Sequence, residues 1–78
     1  MTNLEKYNKA FIETFEIDES VLEGLEYQGI QQWDSVGHMS LISELEDSFD
    51  IMMDTDDIID FSSYEIGKGI LEKYEIHF

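Results

Sequence analysis

Apolar residues recur at helical spacing at the start of the chain. They follow the i, i+3, i+4 pattern of an amphipathic helix at Leu4, Tyr7, Phe11 and Phe15. Thr2 and Glu5 stand at the spacing of a capping box, in which the hydroxyl and the carboxylate satisfy amides at a helix start. The pattern therefore predicts a first helix from about Asn3 to Phe15.

A second helical pattern begins at Asp34 or Ser35 and continues to about Phe49. At about 100° per residue, one arc forms an apolar stripe typical of a core face: His38, Leu41, Ile42, Leu45 and Phe49. A polar set falls opposite, and we expect it to be solvated: Gly37, Ser40, Glu44 and Ser48. Val36 and Met39 belong to neither set. They lie on the arc of Ser35 with several carboxylates, which indicates either a docking surface or a cover for the preceding loop.

The rest of the chain predicts a long loop and two shorter helices. Between Glu16 and Trp33 the periodicity weakens, and we expect the loop to be anchored by its apolar residues: Val21, Leu25, Tyr27, Ile30 and Trp33. A short third helix fits Thr55–Asp60, and a capping box from Ser62 to Glu65 opens a fourth. Strand patterns are absent. The fold class is therefore all-α, a four-helix bundle with a short third helix and a long loop between helices 1 and 2.

A bundle of this kind needs one apolar core, and ten apolar residues of the four helices are its expected members. They are Leu4, Phe11, Phe15, Leu41, Leu45, Phe49, Ile58, Phe61, Ile66 and Leu71. Seventy-eight residues suffice for one domain, residues 1–78, near the lower size limit for folding without covalent cross-links. There is no cysteine, which excludes disulfides and thiolate metal sites. The start of the chain lacks the features of a signal peptide, and no apolar run reaches membrane-spanning length, so we expect a cytoplasmic protein.

Charge narrows the range of partners. The net charge is −15, and the segment from Ala10 to Gly67 holds sixteen of the nineteen acidic residues and none of the four lysines. Binding to nucleic acid or to an anionic membrane is excluded in this interpretation, because phosphate neutralisation needs Lys and Arg. We expect a monomer whose partners present basic patches.

Four acidic residues crowd the third helix: Asp54, Asp56, Asp57 and Asp60. From the sequence, their repulsion should limit stability, and salt or weakly bound Mg²⁺ or Ca²⁺ should relieve it. Asp57→Asn is accordingly expected to raise the melting temperature. An EF-hand is excluded here, because Ile58 and Ile59 occupy loop positions that need a ligand and a turn glycine. No metal site is predicted.

Ser35 is the candidate for covalent chemistry. Serine near a helix start is usually a cap, but Asp34 supplies the better cap, which leaves the Ser35 hydroxyl free to point outward. A phosphate ester at Ser35 would lie close to helix-start amides, which favour an anion. Catalysis by Ser35 with His38 is not favoured, because His38 belongs to the core stripe and no third group is placed to orient it.

These residues, and others in the same order, resemble acyl carrier proteins over nearly the whole chain. The matching stretches are the first helix, the long loop, Trp33–Met39, Leu45–Phe49 and Asp56–Phe61. The resemblance implies that Ser35 takes 4′-phosphopantetheine from coenzyme A through a separate phosphopantetheinyl transferase, and that the protein is no enzyme itself. The thiol of the arm would then hold acyl groups as thioesters for acyl-transferring or condensing enzymes with basic patches.

The expected partner contact has an apolar centre and an acidic rim. Val36 and Met39 form the centre, and the rim consists of Asp34, Glu46, Asp47 and Asp50. The resemblance also implies a cleft between the second and third helices that some carriers use to shelter an acyl chain. Its candidate lining is Met39, Ile42, Met53, Ile58 and Phe61.

Some positions depart from the pattern of fatty acid carriers. Val36 stands where those carriers have Leu, and Ser40 where they have Glu. The departures favour a dedicated carrier of a specialised pathway, such as polyketide, glycan or peptide biosynthesis. Two alternatives stay open: a peptidyl or aminoacyl carrier, and an acidic protein that imitates nucleic acid and blocks a DNA-binding enzyme.

Overall fold

The chain folds into four α-helices around one apolar core. The computed structural model describes residues 1–78, with α1 at Asn3–Phe15, α2 at Ser35–Phe49, α3 at Thr55–Asp60 and α4 at Tyr64–Glu72. The long loop between α1 and α2 contains one short 3₁₀ helix. There are no strands, and a single isolated β-bridge joins this loop to the α3–α4 connection. The predicted all-α bundle, with a short third helix and a long first loop, is confirmed.

Side chains cap the starts of the first two helices. Thr2 Oγ1 accepts a hydrogen bond from the Glu5 amide at 3.1 Å, and the Glu5 carboxylate accepts one from the Thr2 amide at 2.9 Å. Hydrogen bonding to the carboxylate, first from the Thr2 backbone amide and then from the Thr2 side chain, holds the pKa of Glu5 below its usual value. At α2, Asp34 Oδ1 accepts from the Gly37 amide at 2.8 Å. Each cap satisfies an amide that the helix itself leaves without a partner.

The start of α4 differs from the prediction by one residue. Ser63, and not Ser62, is the N-cap, and its hydroxyl accepts from the Ile66 amide at 3.0 Å. The reason lies in the long loop, because Tyr27 N donates to Ser62 O at 2.9 Å and Tyr64 N donates to Leu25 O at 2.8 Å. These bonds hold the backbone extended through Ser63, so the helix begins later.

The core is rich in aromatic rings. Trp33 and Phe11 are fully buried, and they pack edge to face with ring centroids 5.5 Å apart. Six of the ten predicted core members are buried: Phe11, Phe15, Leu41, Leu45, Phe61 and Leu71. Phe49 and Ile58 are partly buried against this core.

Three apolar residues expected inside lie outside. Leu4 and Ile66 are 41% and 49% exposed. Leu4 belongs to the first turn of α1, and Ile66 lies at the edge of the buried stripe of α4. In the long loop, Leu22 is buried where Val21 was the expected anchor, since the 3₁₀ helix turns Val21 toward solvent. The observed core therefore lies closer to the aromatic rings of α1 and to the long loop than the predicted core.

Glycine allows two close approaches. A Cβ at Gly37 would collide with the Gln32 carbonyl, so the start of α2 packs directly on the loop and is not the solvated face that the helical wheel predicts. Glu44 and Ser48, expected on the same solvated face, are half-buried beside α1. A Cβ at Gly67 would collide with Phe61 and Tyr7, so α4 can lie against both rings only with glycine there.

Lys73 and Tyr74, which follow α4, bind α3 through the carboxylate of Asp57. Asp57 is 8% exposed, and its carboxylate accepts hydrogen bonds from Lys73 Nζ at 2.5 Å and from the Tyr74 hydroxyl at 2.6 Å. The bonds from Lys73 and Tyr74 hold the pKa of Asp57 below its usual 3.8. Asp57 is thus paired, and the expectation that Asp57→Asn would relieve repulsion is wrong. Its partners are distant in sequence, which is why the local charge pattern misled.

Candidate functional site

Ser35 is the first residue of α2 and is exposed. Asp34 accepts hydrogen bonds from two amides in the first turn of α2. Its carboxylate accepts from Gly37 N, and its carbonyl accepts from His38 N at 2.7 Å. The Ser35 hydroxyl takes no part in capping. The amides of Ser35 and Val36 precede the first intrahelical bond, so they remain available to an acceptor outside the helix.

The Ser35 hydroxyl has a neighbour that sequence reasoning did not assign to the site. Its Oγ lies 3.2 Å from the hydroxyl of Tyr27, within hydrogen-bond distance. Tyr27 comes from the long loop and was expected only as an apolar anchor. No local pattern links positions eight residues apart across a loop and a helix start, so this contact needed the structure.

Apolar side chains surround Ser35 without being buried. Val36 is 76% exposed and Met39 is 55% exposed, so neither covers the loop. Ile59 of α3 is 71% exposed and borders the same cavity as Ser35 and Met39. We call these four residues the Ser35 face. Sequence reasoning missed Ile59, because the adjacent Ile58 and Ile59 do not reveal which one faces the core.

A cavity of about 380 Å³ opens between α2, α3 and the loop beside Ser35. Its lining is mostly apolar: Tyr27, Ser35, His38, Met39, Ile58, Ile59, Phe61 and Ser62. Three of the five residues proposed for an acyl cleft therefore border one cavity, namely Met39, Ile58 and Phe61. Ile42 and Met53 do not, because both are packed inside the core.

His38 joins the floor of this cavity to the core. The indole Nε1–H of Trp33 donates to His38 Nδ1 at 3.0 Å, and His38 Nε2 lies 2.8 Å from the carbonyl of Ile58. Since the indole can only donate and the carbonyl can only accept, the ring is the neutral tautomer with its proton on Nε2. Both nitrogens are occupied, so His38 is not placed to act as a base toward Ser35.

The proposed acidic rim divides into two kinds of residue. Glu46 accepts a hydrogen bond from the Met53 amide at 2.9 Å, so it also stabilises the turn after α2. Asp47 and Asp50 are exposed and take part in no ion pair. The three ion pairs of the protein involve Lys9, Lys68 and Lys73, and none reaches α2. No ion pair therefore compensates the negative charge of these exposed carboxylates.

No group of three or more His, Asp or Glu side chains is arranged to hold a metal ion. None of the helices is long and apolar enough to cross a membrane. No protein-family model matches the chain, and searches of curated proteins and of solved structures found no match. The function of the Ser35 face is therefore inferred from its own residues.

Proposed function

We propose that the protein is an acyl carrier that bears a 4′-phosphopantetheine group on Ser35. The observation that supports this best is one exposed hydroxyl at the start of α2 that takes no part in capping the helix. Asp34 has taken over capping, exposed apolar residues flank the serine, and a cavity opens beside it. A hydroxyl that only capped its helix would need neither the apolar surround nor the cavity.

The residues present suit a phosphodiester. A phosphate on Ser35 Oγ would lie near the free amides of Ser35 and Val36, where the positive end of the α2 dipole stabilises an anion. The arm would supply the only thiol of a chain without cysteine, and acyl groups would be held on it as thioesters. Tethering by a flexible arm presents such a group to a docked enzyme at high effective concentration.

The surroundings of Ser35 suit transient docking. Val36, Met39 and Ile59 offer an apolar centre that an enzyme can cover. Asp47 and Asp50 add negative charge that would attract a basic partner and accelerate association. The transferase and the later acyl-transferring or condensing enzymes would share this surface, so each contact must be brief. The departures at Val36 and Ser40 favour a carrier of a specialised pathway.

The test is the intact mass of the purified protein after incubation with coenzyme A and a broad-specificity phosphopantetheinyl transferase. We expect a single phosphopantetheine adduct on the wild type and none on Ser35→Ala. The matched control is Ser40→Ala, an exposed serine five residues further along α2. An adduct that persists in Ser35→Ala, or no adduct on the wild type with several transferases, contradicts the proposal.

A further inference from the structure

Tyr27 is held rigidly beside Ser35. Its amide donates to Ser62 O at 2.9 Å, and the next amide, of Gln28, donates to Trp33 O at 2.9 Å. The Tyr27 ring packs edge to face against His38 at 5.5 Å and against Trp33 at 6.3 Å between ring centroids. Backbone and ring are thus both fixed. The phenol hydroxyl therefore loses little conformational entropy when it forms a hydrogen bond with Ser35.

A hydrogen bond from this phenol suits a serine nucleophile. When Tyr27 donates to Ser35 Oγ, it occupies one lone pair and restricts the rotation of the hydroxyl. The second lone pair stays free for attack, and the serine proton points away toward a base on the partner. An oriented hydroxyl needs less ordering in the transition state than a freely rotating one.

Resting on the proposed carrier function, we propose that Tyr27 is a positioning residue for the modification of Ser35. In that reaction a bond forms between Ser35 Oγ and the phosphorus of coenzyme A that bears the pantetheine. The bond from this phosphorus to the oxygen of adenosine 3′,5′-bisphosphate breaks. The serine proton passes to a base of the transferase, and Tyr27 exchanges no proton.

The same phenol has a second partner once the phosphodiester exists. The esterified Oγ is a poor acceptor, whereas the two non-bridging phosphate oxygens are charged acceptors, which form stronger hydrogen bonds. Tyr27 then donates to the phosphate. Because Tyr27 also lines the cavity between α2 and α3, this bond fixes the root of the arm at the cavity mouth.

The experiment compares Tyr27→Phe with Tyr64→Phe. Each change removes one hydroxyl and keeps the ring, and the Tyr64 hydroxyl donates to Asn8, away from Ser35. Initial rates of modification with transferase and coenzyme A give kcat and KM for the wild type and both variants. We expect Tyr27→Phe to lower kcat about threefold to tenfold, the loss of one neutral hydrogen bond, with KM unchanged. Tyr64→Phe should match the wild type.

A second readout is the ³¹P resonance of the modified proteins. We expect it to shift in Tyr27→Phe and to stay in place in Tyr64→Phe, because only Tyr27 donates to the phosphate. Equal rates and equal ³¹P resonances in Tyr27→Phe and the wild type would overturn the role of Tyr27 while leaving the carrier function intact. Equal slowing by both variants would also overturn it, because that result reports only a loss of stability. Absence of any adduct on the wild type would instead contradict the proposed function.

Discussion

Large apolar side chains are buried on one side of the molecule and exposed on another. On one side, Tyr7 of α1 is fully buried, with its ring centroid 5.0 Å from that of Phe11 and 5.2 Å from that of Tyr64 in α4. Its hydroxyl donates to the Tyr64 carbonyl at 2.7 Å, and burial raises its pKa well above the usual value. On the other side, the Ser35 face leaves Val36, Met39 and Ile59 in solvent.

The contrast shows that the open side does not result from a lack of apolar residues. The chain closes a small aromatic core completely and still exposes large apolar side chains around one hydroxyl. Exposed clusters of this kind contribute little to folding and are typical of surfaces that another protein covers. The Tyr7 side is therefore closely packed, whereas the apolar residues of the Ser35 face remain open to solvent.

The largest expected effect comes from two substitutions on α2. Leu41 is fully buried, so Leu41→Ala should lower the free energy of unfolding by about 2–5 kcal/mol through lost burial and a cavity. Met39→Ala should change it by about 0.5 kcal/mol or less, because the side chain is mostly solvated. Urea denaturation measures both. Equal losses would show that Met39 packs against the fold and that the Ser35 face is part of the core.

The next effect concerns charge on α3. Asp57→Asn should lower the melting temperature, because it weakens the bonds to Lys73 and Tyr74. The matched control is Asp56→Asn, which removes the same charge from an exposed and unpaired neighbour. It should raise the melting temperature in low salt, and added salt should reduce that gain.

The pH dependence of Asp57 has a definite sign. The folded protein holds its pKa below 3.8, so the carboxylate stabilises the fold above that pH. This stabilisation is lost as the pH falls below 3.8 and through the lower folded value. The difference in melting temperature between the wild type and Asp57→Asn should therefore shrink in acid. A difference that stays constant from pH 7 to pH 2 would contradict the ion pair.

A smaller effect is expected at the acidic rim. Asp47→Lys should slow modification about threefold to tenfold in low salt, since rim charges mainly affect association rates. Glu72→Lys makes the same charge change on exposed α4 and should have little effect. In high salt, both variants should be modified at the wild-type rate. Glu46→Lys is a poor test, because it also breaks the bond to the Met53 amide. Equal slowing by Asp47→Lys and Glu72→Lys would show that net charge acts without a defined docking surface.

The smallest effect is a set of chemical-shift changes on loading a medium-length acyl chain. Relative to the unacylated holo form, resonances of Ile58, Ile59 and Phe61 should move, because these side chains line the cavity. Those of Ile42 and Met53 should stay, because both are sealed in the core. Movement at Ile42 and Met53 would mean that the guest chain opens the core. No movement at any of the five would mean that cargo remains in solvent.

Local features of the sequence sufficed for the bounds of the first two helices. Helical periodicity and the caps at Thr2 and Asp34 act over a few residues, so the bounds of α1 and α2 followed directly. Contacts between distant segments could not be predicted from such local features. The bond between Tyr27 and Ser35 and the pairing of Asp57 with Lys73 depend on how the loop and α4 pack. The wheel separated Val36 and Met39 from the core stripe but left open whether they cover the loop, and their exposure became clear only from the packing. The exposure of Ile59 depended on the register of a six-residue helix.

The single tryptophan gives this protein an internal optical reporter. Trp33 is fully buried, hydrogen-bonded to His38 and stacked on it at 16° between ring planes. His38 in turn borders the cavity and holds the Ile58 carbonyl of α3. Any movement of α3 that breaks this link changes the polarity around the indole and hence its emission spectrum. Fluorescence of the unlabelled chain can therefore follow the opening of the cavity in real time.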